Sequence, residues 1–379
     1  MGNLIVHDEP AMPVGMGRVV LTHGTGAEDG HEAATHRVVA VRLAALLDLP
    51  YAGACEDGRP CASSYIVPRA ALSGRRIAAE LAIRSEHDLF GGWTLRDWMA
   101  TKAIMHPLVS SEAAAPLGWT RRLAADAVPL TLRGFTAFSA QDALAAGRLL
   151  LRTGPVRLKP ASADGGRGQI VARGEAEIAD AVTSLCVGGR LADIVTLEEN
   201  LDEVATYSVG QVRLPGRTVS YCGTQSETVN NEGGRAYGGS ILLAVCGGFD
   251  RLLARPLPSE TGEAVVRAVA FDALADRHLP GLIASRRNYD VACGVGADGS
   301  RRIGVLEQSW RMGGATGAEI AALEVFAREP RVAAVVARTV EAYGAAAHAP
   351  DGAALYYRGH DPVVGPLTKY ARVEEKIEG

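Results

Sequence analysis

A β-rich apolar run at residues 18–23 gives way to a glycine-containing loop and then to a helical pattern over 31–47. A second short strand at 65–67 stops on Pro68 and leads into another helical stretch. That βαβα rhythm predicts a small parallel α/β unit over roughly the first 95 residues. From 102 to about 151 helical patterns dominate and close at Thr153-Gly154-Pro155. Strand and turn alternate beyond that point. Strands are expected at 156–160, 169–172, 195–198, 206–214 and 218–224, with Pro215-Gly216 as the hairpin turn between the last two. A helix at about 175–186 interrupts the series, and a further strand pair is expected at 289–295 and 302–310. The C-terminal region reads as a helix from 316 to about 347, opened by a Thr316/Glu319 capping box, and as a solvated tail from 373.

Composition narrows the function classes. The 379 residues suffice for two or three domains, and a net charge of -4 argues against electrostatic capture of nucleic acid or of an anionic membrane. The six cysteines form no C-x-x-C pair, and no apolar run reaches membrane-spanning length, so a reduced, cytoplasmic setting is expected. The chain holds 35 arginines but only four lysines, Lys102, Lys159, Lys369 and Lys376. Where arginine serves as the general solvated cation, a retained lysine points to a place needing a compact point charge.

Three constellations carry candidate chemistry. The strand 156–160 ends in Lys159-Pro160 and runs into a loop containing Gly165, Gly166, Arg167 and Gly168 before the next strand. Such a loop can lay backbone N–H groups along phosphate oxygens while the lysine supplies charge; an ordinary hairpin reads the same. Secondly, Asp298-Gly299 is a favoured hairpin turn, and a hairpin symmetric about it pairs residues whose numbers sum to 597, setting Asp290 opposite Glu307. Facing carboxylates repel unless a cation lies between them, and oxygen ligands without histidine suit Mg2+. Ser309 and Arg311 follow on the Glu307 face. A solvated edge hairpin neutralised by Arg301 and Arg302 is the alternative. Thirdly, Gly313-Gly314 before the helix at Thr316 would make an anion site beside Arg311. The G-x-G-x-x-G at 294–299 precedes a strand and is read as a turn, His31 and His36 lie too far apart around a helix for a zinc pair, and Cys55 and Cys61 are read as structural.

This order of parts resembles the ATP-grasp superfamily. Over nearly the whole chain the wording is also similar to uncharacterised bacterial ATP-grasp-like, biotin carboxylase-like proteins, through Ile83-Arg84-Ser85-Glu86-His87-Asp88-Leu89-Phe90-Gly91-Gly92, Ala100-Thr101-Lys102-Ala103-Ile104 and Leu306-Glu307-Gln308-Ser309-Trp310-Arg311. The resemblance implies an α/β chain with α+β lobes: an N-terminal parallel pre-ATP-grasp domain at 1–98, a small lobe at 99–200 with the phosphate loop, and a large lobe at 201–379 with the metal site. It implies that Lys102 and Lys159 hold ATP phosphates under the loop Gly165 to Gly168. Glu198, Glu199 and Leu201 would lie at the adenine hinge and Thr206 near the ribose. Asp290, Glu307 and Ser309, the last in place of the customary asparagine, would hold Mg2+, and Arg311 would steady the transferring phosphoryl group. Ala315 stands where the biotin carboxylases place a catalytic acid. The implied activity is an ATP-dependent ligase joining a carboxylate to an amine or thiol through an acyl phosphate, with small-molecule partners and a homodimer as an open option. A nucleotide-binding regulatory module or an ATP-dependent phosphotransferase are the alternatives. The second substrate is expected against residues 23–26 or against Tyr237-Gly238-Gly239-Ser240.

Overall fold

The computed structural model describes residues 17–22, 30–54, 63–163 and 167–379. Arg18–Leu21 is the central strand of a three-stranded parallel sheet, flanked by Tyr51–Ala54 and Ser64–Val67. Helix His31–Leu46 crosses over it, as the apolar spacing of Val39, Ala40, Leu43 and Ala44 requires. Gly134–Ala137, Val195–Glu199, Val156–Pro160 and Ile170–Ala172 form a second, antiparallel sheet in that order. Helices Ala140–Leu151 and Glu175–Ser184 pack on it around their own core, which includes Ala146, Leu158, Ile178 and Leu197. A Cβ on Gly147 would fall 2.6 Å from Ile178 Cγ2, so glycine there lets the two helices approach. Residues 134–137, expected to be helical, instead supply an edge strand of this sheet.

The third unit is an eight-stranded antiparallel sheet in the order Arg301–Ser309, Arg286–Val295, Asp202–Leu214, Arg217–Val229, Arg235–Cys246, Val332–Tyr343, Gly365–Glu378, Ala354–Asp361. Side chains alternate faces with period two. Tyr207, Val209, Cys222, Tyr289 and Val291 pack under helix Ser259–His278. Val212, Tyr221, Leu242 and Ala244 share the other core with helix Thr316–Arg328 and with Val39 and Leu43 of the N-terminal helix. The parallel unit thus shares a continuous apolar core with the large sheet, whereas the four-stranded sheet is sealed around its own. Among the described residues, no helix is long and apolar enough to cross a membrane.

Several expectations are corrected. The C-terminal helix ends at Arg328, and the sequence from Val332 is a strand: Pro330 blocks helical continuation, and the β-branched Val332, Val335, Val336, Thr339 and Val340 suit a sheet. The supposed tail from 373 lies within the strand Gly365–Glu378, paired to Val332–Tyr343. Strand Arg235–Cys246 and helix Ser259–His278 occupy a stretch for which no element was expected. The capping box does not form. Ala315 holds the cap position, and Thr316 Oγ1 instead accepts a hydrogen bond from Gly313 N at 3.0 Å.

Candidate active site

Asp290 and Glu307 do pair across adjacent strands, but not through the expected turn. From Val295↔Arg301 to Val291↔Val305 the register places Leu306, not Glu307, next in line for Asp290; an irregularity between Asp290 and Val291 then takes up one residue. A β-bulge of this kind re-aims side chains. Here it turns Glu307 onto Asp290, and Leu306 packs against the cluster of Leu132, Leu201 and Ala292. Asp290 Oδ1 accepts hydrogen bonds from Asn288 Nδ2 at 2.9 Å and Ser208 Oγ at 3.2 Å, and Gln225 supports Ser208 at 2.9 Å. Burial, then the Glu307 charge, pushes the Asp290 carboxyl up to about 6. Two facing carboxylates with no imidazole or thiolate beside them fit a hard divalent cation. Among the described residues, no group of three or more His, Cys, Asp or Glu side chains could hold a metal. A cation at this pair therefore completes its shell with water or a ligand's oxygens, as Mg2+ commonly does.

Beneath the pair lies a buried network. Arg286 makes a fork-to-fork contact with Glu319, Nε to Oε2 at 2.9 Å and the second nitrogen to Oε1 at 2.7 Å. Its remaining nitrogen donates to Ser309 O at 3.2 Å and to Arg311 O. Tyr221 Oη donates to Glu319 Oε1 at 2.6 Å and lies 2.9 Å from Asn288 Oδ1, the residue that in turn donates to Asp290. Glu319 is therefore engaged in the core rather than at the helix start. The network fixes both Asp290 and the backbone from Ser309 to Arg311. Spacing gives no hint of these contacts, although two consecutive arginines, Arg286 and Arg287, in an otherwise buried strand signal buried acids; Arg287 meets Asp272 at 2.9 Å and Asp276 at 2.7 Å.

The lysines approach from the other side. Lys102 is buried, and its ammonium lies 2.8 Å from Glu307 Oε2 and donates to Ala163 O at the entry to the glycine loop. Its backbone N–H bonds to Ala161 O at 3.1 Å, which ties this 3₁₀ turn to the same loop. Lys159 is paired with Glu198, whose other oxygen lies 3.4 Å from His106 Nε2. Burial alone would raise the Glu198 carboxyl, but Lys159 and then His106 outweigh it and lower it to about 2. The Glu198 side chain therefore points inward to these bases. Glu199 accepts from Arg133 N at 3.0 Å and lies 3.6 Å from Arg302, while Leu201 is buried and Thr206 stands partly exposed opposite Ala292. Gly165, Gly166 and residues 23–26 lie outside the described residues. Arg167 is exposed, and Gly168 adopts φ +69°, a left-handed conformation that favours glycine.

Arg311 donates to Met312 O at 2.8 Å. The expected open helix end beside it is closed: Gly313 N is taken by Thr316, and a Cβ on Gly314 would strike the Tyr237 ring. Tyr237 lies 2.6 Å from Ser240 Oγ and 3.3 Å from Thr339 Oγ1, so this second candidate substrate stretch forms the floor under the 313–314 loop. The 83–92 phrase serves the same corner, since a Cβ on Gly92 would fall 2.6 Å from Trp310 Cβ.

Solved structures share this fold. The biotin carboxylase domain of 2-oxoglutarate carboxylase from Hydrogenobacter thermophilus, in complex with MgADP, ADP and bicarbonate, aligns at TM-score 0.52 and 13% identity over 94% of this chain and 86% of that one. Carboxyaminoimidazole ribonucleotide synthase from Aspergillus clavatus, complexed with ATP, aligns at TM-score 0.50 and 13% identity over 94% of each chain. Biotin carboxylase from Campylobacter jejuni aligns at TM-score 0.50 and 11% identity over 94% of this chain and 87% of that one. These likenesses show a shared fold. No curated protein matches the sequence. Residues 19–371 match the family described as a protein of unknown function, DUF3182, and the chain belongs to that family.

Proposed function

We propose that the chain is an ATP-dependent ligase that activates a small-molecule carboxylate as an acyl phosphate and passes the acyl group to an amine or thiol. The observation that carries this reading is the bulge-set pairing of Asp290 with Glu307, with Lys102 bridging from Glu307 to the glycine loop. Mg2+, when bound there, would neutralise phosphate charge. Lys102 and Lys159 then exchange a carboxylate partner for phosphate oxygens, and loop N–H groups around Gly165 to Gly168 complete the cradle. Adenine lies at the hinge near Glu198, Glu199 and Leu201, with the ribose toward Thr206. Arg311, its backbone fixed by Arg286, holds the substrate carboxylate. A carboxylate oxygen attacks the γ-phosphorus while the bond to the ADP oxygen breaks. The nucleophile next attacks the acyl carbon, phosphate departs, and the nucleophile's proton passes to water or a base. We read the three parts of the fold as domains 1–98, 99–200 and 201–379, working in the cytoplasm.

The test is isotopic. With an 18O-labelled carboxylate pool, an amine and thiol panel and magnesium-ATP, released phosphate carries one 18O per turnover, and Lys159→Ala abolishes the turnover. Label-free phosphate would contradict the acyl-phosphate step. Ser309 and Thr206, which depart from the superfamily pattern, favour one second reading, a nucleotide-binding regulator. It would be marked by magnesium-dependent ATP binding without phosphate release on any panel. A stable phosphorylated product would mark a phosphotransferase.

A further inference from the structure

Where the parallel unit meets the large sheet, several cations converge, with few acids among the described residues to oppose them. A Cβ on Gly91 would lie 3.2 Å from Pro68 Cγ and 3.4 Å from Trp310 O, so Arg69 and Arg311, each the next residue, leave the same junction. Lys369 enters from the strand Gly365–Glu378, its ammonium 3.4 Å from His31 Nδ1 and 2.7 Å from Glu341. His36 stands five residues further along the helix from His31, on a different side of it. Burial, then Arg69, Lys369, Arg311 and His31, lowers its imidazole to about 4, so it is neutral at pH 7.

The acids nearby are largely committed. Glu341 pairs with Lys369, and Asp361 accepts the backbone N–H groups of His31 at 2.7 Å, Val363 at 2.9 Å and Val364 at 3.0 Å. Glu32 is exposed. Two nitrogens at this junction, His36 Nδ1 and Arg69 Nε, are buried and have no hydrogen-bond partner among the described residues. Leaving such groups unmet costs stability. Both residues are partly exposed, although the two nitrogens themselves are buried.

We infer that this junction binds a doubly charged oxyanion, a phosphoryl group or a pair of carboxylates, carried by the acceptor substrate, with His36, Arg69 and Lys369 as its donors beside Arg311. The assignment to an acceptor substrate rests on the ligase reading; the anion site itself does not. A bound dianion would stabilise the His36 imidazolium that the neighbouring cations now oppose.

The experiment follows His36 by NMR in the full histidine-labelled chain, its signal assigned by its loss in His36→Gln, with neither nucleotide nor magnesium present. Sulfate stands for the phosphoryl group and oxalate for the dicarboxylate. Either one should raise the titration midpoint by about one pH unit, equivalent to about tenfold tighter binding to the imidazolium. Whichever acts at lower concentration identifies the source. Arg69→Met and Lys369→Met should each lose the response, and Arg69→Lys should keep part of it. An unchanged midpoint in both anions, or an equal rise in chloride at matched ionic strength, overturns the inference. Because ATP is absent, failure here with intact ATP turnover removes only this site, and failure of the ligase reading leaves the anion response standing.

Discussion

Asp290 and Glu307 stand on neighbouring strands of the eight-stranded sheet, the former held through Asn288 by a buried Tyr221–Glu319–Arg286 network. Lys102 and Lys159 are each already paired with a carboxylate, Glu307 and Glu198 respectively. The acid side is preorganised; under the proposed function the lysine side would trade partners to meet a nucleotide. Rigid placement suits groups that position a cation, since a small displacement there is costly to phosphoryl transfer. Exchange suits the lysines: held by carboxylates, they need not remain as unpaired buried charges before ATP arrives.

The largest expected effect breaks the rigid side. Arg286→Met leaves Glu319 charged and buried without its partner, and should cost about 3–5 kcal/mol by chemical denaturation. Adding Glu319→Leu should return much of that stability but not ATP turnover, because Arg286 also fixes the backbone at Ser309 and Arg311.

Lys159→Met sharpens the other side through pH. Glu198 is depressed from 4.5 to about 2, so the stability it contributes is complete above about pH 4.5 and is lost as pH falls toward 2. Without Lys159 the buried carboxylate is disfavoured when charged, so the variant should lose stability as pH rises instead. Stability curves between pH 3 and 8 decide it, and parallel curves for the two proteins would contradict the pairing.

Gly314→Ala tests the floor of the site. A methyl group pressed on the Tyr237 ring should cost about 1–3 kcal/mol, read as a fall in Tm. Arg235→Ala, at a largely exposed ion pair with Glu227, should change stability by less than about 0.5 kcal/mol.

The two regions also differ in how far they could be read. The acid pair was legible, yet partly for the wrong reason: a symmetric two-residue turn predicts Asp290 opposite Glu307, whereas the real turn is one residue out of step and the bulge restores the match. The strand Val156–Pro160 and helix His31–Leu46 follow from local periodicity, the strand as expected and the helix within one residue. Glu319 misled because Thr-x-x-Glu describes a cap and a buried ion pair alike, and only Arg286, 33 positions away, distinguishes them. Val332–Tyr343 resembles a helix in its apolar content; Pro330 and the β-branched residues were the local signs against it, and Gly365–Glu378, the partner that completes the strand pair, lies beyond local reach. The lysine–carboxylate pairs are likewise long-range, so nothing local marked Glu307 and Glu198 as the partners of Lys102 and Lys159.

The most direct test of the central claim is calorimetric titration of a non-hydrolysable ATP analogue with and without magnesium, in the wild-type chain and in Asp290→Asn. The acid pair predicts that magnesium tightens binding by about tenfold or more in the wild type and has almost no effect in the variant. The same variant should melt higher than the wild type without metal, because the repulsion with Glu307 is gone. Equal magnesium dependence in the two proteins would contradict the assignment of Asp290 and Glu307 as the cation site.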